Sequence, residues 1–68
     1  MTIQELKQIH NQLADQITVL NALSAQWSRS ITIDERMKAA ADMENQSNML
    51  RIVAERLATG TRELYEEA

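Results

Sequence analysis

The sequence predicts an all-α fold: an antiparallel two-helix hairpin that dimerises into a four-helix bundle. Three observations lead there. The 68 residues include no proline and one glycine, so turns are few and a multi-stranded sheet is disfavoured. The hydrophobic share is 44% while the aromatic share is 3%, which leaves Leu, Ile, Val, Met and Ala as the apolar mass, residues that pack in helical stripes. Those residues recur every seventh position in two separate stretches, the signature of helices that share a seam.

The first helix is expected over about residues 2–28. Thr2-Ile3-Gln4-Glu5 has the grammar of a capping box, in which the Thr hydroxyl accepts from the third backbone N–H and the Glu carboxylate reaches back. Leu6, Leu13, Leu20 and Trp27 then form one rung of the ladder, with Ile9 and Leu23 three residues on from rung positions. The turn is placed at about 29–32. Ser28-Arg29-Ser30-Ile31-Thr32 is too short for anything but a sharp reversal, so the helices run antiparallel. The second helix is expected over about 33–59, opened by Thr32-Ile33-Asp34-Glu35, with Ser30 as a rival cap. Its rung is Met43, Leu50, Leu57 and Leu64, joined by Ala39 and Val53. Gly60 reads as a C-cap or a flexible point, and the tail beyond it is able to continue as helix to 66. Acids near that terminus, Glu63, Glu66 and Glu67, oppose the helix dipole and favour fraying.

Facing residues of a hairpin have position numbers with a constant sum, here about 63. Leu6 thereby meets Leu57, Leu13 meets Leu50, Leu20 meets Met43, Ile9 meets Val53 and Leu23 meets Ala39. The one polar residue on each stripe obeys the same rule, so Gln16 and Gln46 share a layer. Two amides that satisfy one another inside an apolar seam would fix its register.

The two flanks of this seam differ. One collects Ile3, His10, Ile17 and Ser24 from the first helix with Ile33, Ala40, Ser47, Ala54 and Thr61 from the second, and none is Asp, Glu, Lys or Arg. The other collects Glu5, Gln12, Val19 and Gln26 with Glu35, Asp42, Met49 and Arg56. Solvent is expected on the second flank and protein on the first. A hairpin of this length buries too little surface to stand alone, and two-fold homodimers are the commonest remedy. Ile3, His10, Ile17, Ala40, Ser47 and Ala54 are therefore the expected dimer interface, a different protein over the same flank being the alternative. His10 would be a pH-sensitive interface residue, since charging it on burial is costly, or else a wet rim histidine. Met49, Ile52 and Arg56 form a short stripe on the outer face of the second helix, suited to recognising a protein partner. Trp27 either closes the bundle end, with the Arg36 guanidinium over its indole, or anchors such a partner.

Chemistry is not visible. A single His, no Cys, no glycine-rich phosphate loop and no Glu-x-x-His leave neither a catalytic constellation nor a metal or cofactor site to expect. A net charge of −3 with scattered bases argues against nucleic acid, and no apolar run approaches the ~18 residues of a membrane span or a leader segment. A cytoplasmic protein is expected. In length and layout the chain resembles the RNA-one modulator hairpins, whose dimers bind RNA loop pairs, and the co-chaperones of type III secretion needle subunits. Trp27 near the turn is also similar to the Trp of the ESX-type hairpins, although Trp27-Ser28-Arg29 lacks the glycine of their Trp-x-Gly. The expected function is that of a non-enzymatic homodimer binding another protein as inhibitor, adaptor or chaperone. An RNA-binding or small-ligand-binding bundle is the alternative.

Overall fold

A computed structural model describes residues 1–66 as two helices, α1 (Ile3–Arg29) and α2 (Ile33–Glu66), packed along each other as a hairpin. Among the described residues there is no strand. The radius of gyration is 15.6 Å and the extents are 53 × 14 × 11 Å. A compact chain of this length would have a radius of gyration of about 11 Å, so the molecule is a thin rod. No helix among the described residues is long and apolar enough to cross a membrane.

Each helix begins where its sequence says. At Thr2 the capping box is complete: the Glu5 N–H donates to Thr2 Oγ1 at 3.2 Å, and the Thr2 N–H donates to Glu5 Oε1 at 3.2 Å. At Thr32 the box is offset. The Glu35 N–H donates to Thr32 Oγ1 at 3.2 Å, but the Glu35 carboxylate accepts from Ile31, one residue before the cap, at 3.4 Å. Ser30, the rival cap, ends α1 instead. Its backbone N–H donates to Trp27 O at 3.2 Å and its hydroxyl donates to Gln26 O at 2.8 Å, both to carbonyls of the last helical turn.

The seam follows the predicted register. Gln46 Nε2 donates to Gln16 Oε1 and also approaches Gln16 O at 3.4 Å, so the two amides meet across the helices in an otherwise apolar row. Packing is closest toward the two ends. Leu6 and Ile9 are each 5% exposed, and Ala39, near the turn, is 1% exposed. Between them Leu13, Leu20, Met43, Leu50 and Val53 are only half-buried. Two helices enclose a layer on two sides alone, so among the described residues no large side chain is fully withdrawn from water.

Gly60 departs from expectation. It is neither a C-cap nor a break, because α2 continues through it to Glu66 without positive φ. Its value lies in its missing side chain: a Cβ there would lie 2.8 Å from Leu6 Cδ2 and would strike the Met1 thioether. Gly60 is buried because Leu6 and Met1 occupy the space its side chain would fill. Beyond it, the Thr61 hydroxyl donates back to Leu57 O at 2.7 Å, and Leu64 is half-buried. Helical structure through Glu63 and Glu66 replaces the fraying anticipated there, while Glu67 lies outside the described residues.

Candidate functional site

Antiparallel pairing distributes the remaining side chains over two flanks and a turn. The charge-free flank is uncovered along the rod. Ile33 is 75% exposed, Ile17 is 44% exposed and Ile3 is about half exposed. His10, Ser24, Ala40 and Ser47 lie open between them, whereas Ala54 and Thr61 are half-buried against α1. Sequence reasoning left out two members. Ile31 in the turn is 91% exposed, and Met37, one helical turn past Ile33 on the same side of α2, is also exposed. Ile31 is seven residues after Ser24, just beyond the end of α1, and Met37, four after Ile33, begins the outer edge of the flank. That periodicity was the available signal. At the outer edge of the same flank stand Glu44 and Arg51, exposed and on one face of α2.

On the opposite side of the seam, Met49 and Ile52 are each about half exposed, with Arg56 exposed beside them. Val19 of α1 is similarly open. A shallow groove of about 370 Å³ runs from Ile52 and Arg56 past Thr59 and Gly60 to Met1, with Glu55 and Glu63 on its rim. The glycine notch therefore lies at one end of the Met49–Ile52 stripe. Asp42, expected among the solvated residues of this flank, is half-buried.

At the turn the Arg36 guanidinium lies 5.0 Å from the Trp27 ring centroid, and its Nε donates to Ser30 O at 3.2 Å. One cation thus binds the indole face and the carbonyl of the residue that caps α1, which holds Trp27 in place. Trp27 remains 39% exposed. Beside it a polar depression of about 350 Å³ is lined by Gln26, Arg29, Ser30, Glu35 and Lys38.

Among the described residues no group of three His, Asp or Glu side chains is placed to hold a metal ion. No buried side-chain nitrogen or oxygen among them lacks a hydrogen-bond partner. Among the described residues no polar side-chain group is therefore held out of water awaiting a ligand. No family model, curated protein or solved structure matches this chain.

Proposed function

We propose that the protein is a non-catalytic binding module that works in the cytoplasm as a homodimer, two hairpins forming one four-helix bundle. In this reading Ile3, His10, Ile17, Ala40, Ser47 and Ala54 form the dimer interface. Met49, Ile52 and Arg56, with Trp27 at the turn, stay outward for a second protein, which the dimer serves as inhibitor, adaptor or chaperone. The observation that carries the reading is the exposure of Ile17, Ile33 and Ile3 along a flank without any Asp, Glu, Lys or Arg. Uncovered, that row leaves aliphatic surface in water along the whole rod; covered by another copy, it becomes the interior the single hairpin lacks.

Sedimentation equilibrium tests the dimer. Wild-type protein is expected at twice the chain mass. Ile17→Glu is expected at the single-chain mass or largely unfolded by circular dichroism, since it would place a carboxylate in the middle of the interface. A folded Ile17→Glu dimer with wild-type affinity would contradict the reading. Partner binding is tested by capture from native lysate: Met49→Asp and Ile52→Asp should lose the bound protein while keeping the dimer. Capture of RNA, with binding that falls steeply as salt rises, would support the alternative class.

A further inference from the structure

The charge-free flank is also self-complementary, and that constrains how a second copy lies on it. Along α1 its members are Ile3, His10, Ile17 and Ser24, and Ile31 follows at the next seventh position in the turn, beyond the end of the helix. Reversed, the order is again Ile, polar, Ile, polar, Ile. Along α2 the members are Ile33, Ala40, Ser47, Ala54 and Thr61, in which two alanines flank the central Ser47 symmetrically and both ends are β-branched. Ile17 and Ser47 lie at nearly the same height on the rod, because their numbers add to about the value that defines facing residues of the hairpin.

We infer that two copies pack head to tail, with the two-fold axis crossing the rod between Ile17 and Ser47, so that the turn of each covers the open end of the other. This rests on the dimer proposed above. A two-fold interface must match itself residue for residue, and the head-to-tail arrangement does so. Ile17 meets its own copy, His10 meets the partner's Ser24, and Ile3 meets the partner's Ile31. On the other helix Ala40 meets the partner's Ala54, two small residues that let the helices approach. Ile31 and Ile33, the most exposed large aliphatic residues among the described ones, then rest on the open end of the partner rather than in water.

Charge gives an independent argument. Glu44 and Arg51 stand three before and four after Ser47 on the same edge of α2. Seven residues apart, they lie about 10 Å from each other along one helix and do not meet. With α2 antiparallel on its copy about Ser47, Glu44 falls opposite the partner's Arg51, and Arg51 opposite the partner's Glu44. The pair therefore forms twice. If the axis instead ran along the rod, with both turns at one end, α2 would lie on the partner's α1. Glu44 would then fall near the partner's Asn21 and Arg51 near the partner's Ala14, with no ionic match, and Arg29, Arg36 and Lys38 of both copies would crowd one end.

The area is sufficient. The hairpin exposes 5218 Å². A compact protein of 7.8 kDa exposes roughly 4,400 Å². The excess of about 800 Å² is what one partner contributes to an interface of standard size.

Because the chain has no cysteine, a single Ser28→Cys substitution at the exposed end of α1 accepts one nitroxide label per copy. Ser28 lies eleven residues from the axis, which places the two labels roughly 35–45 Å apart in the head-to-tail dimer and within about 25 Å if the turns coincide. Pulsed dipolar spectroscopy distinguishes these. A short distance overturns the orientation and leaves the dimer standing; no coupling between labels at tens of micromolar protein overturns the dimer as well. Charge exchange supplies a second readout. Glu44→Arg or Arg51→Glu alone should weaken self-association about tenfold, and the double exchange should restore it to within about threefold. A double variant as weak as the single ones would overturn the pairing.

Discussion

The open end of the rod and the turn end treat their large apolar residues differently. At the open end Leu6 is closed off where Gly60 presents no side chain, and Ile9, the next core residue along α1, is equally buried. At the turn end Ser30, Glu35 and Arg36 bind the chain reversal through backbone groups, while Ile31, Ile33 and Met37 point away from their own chain. The difference teaches that in a two-helix hairpin burial depends on close approach, and a small residue opposite a large one provides it. A polar fastening can fix the path of the chain while neighbouring apolar side chains such as Ile31 and Ile33 stay in water.

Four substitutions would break or sharpen that contrast, each read by urea unfolding against wild type at matched protein concentration. Leu6→Ala at the open end should have the largest effect, a loss of about 2–4 kcal/mol, because it empties a closed site. Gly60→Leu should lose about 1–3 kcal/mol by wedging the helices apart at Leu6, despite improving the local helix propensity. Gln16→Leu should lose about 1–2 kcal/mol, since it removes the acceptor for the Gln46 amide, whereas replacing both glutamines by Leu should recover most of the loss. Ile31→Ala at the turn should cost under about 0.5 kcal/mol when the protein is dilute enough to be monomeric, and more once copies associate. If Leu6→Ala and Ile31→Ala proved equally costly in dilute protein, the two ends would not differ as described.

Most of the fold was legible because it depends on repetition. The ladder gives the helices, the short segment between them gives the reversal, and the shared number sum brings Gln16 to Gln46, where the structure has them bonded. Capping followed the same logic at Thr2, where every group involved is local in sequence. What escaped depended on contacts between ends of the chain. Nothing near Gly60 in sequence announces that Met1 and Leu6 need its missing side chain, so it reads as a helix stop. Ser30 carries a hydroxyl able to serve either the helix before it or the helix after it, and only the path of the turn assigns it to α1. Of the uncovered flank, the members seven residues apart on the helices followed from spacing; Met37, four residues after Ile33, was left out, and Ile31 was omitted because it sits in the turn, where heptad counting is ordinarily stopped.

The dimensions of the rod carry a consequence for its motion in solution. A particle 53 Å long and 14 × 11 Å across diffuses and elutes like a heavier sphere. Pairing side by side along the flank would double the mass with almost no gain in length, so the dimer is the rounder particle and its frictional ratio is lower. Column position alone would then separate the two species by less than their masses imply, and light scattering would resolve them.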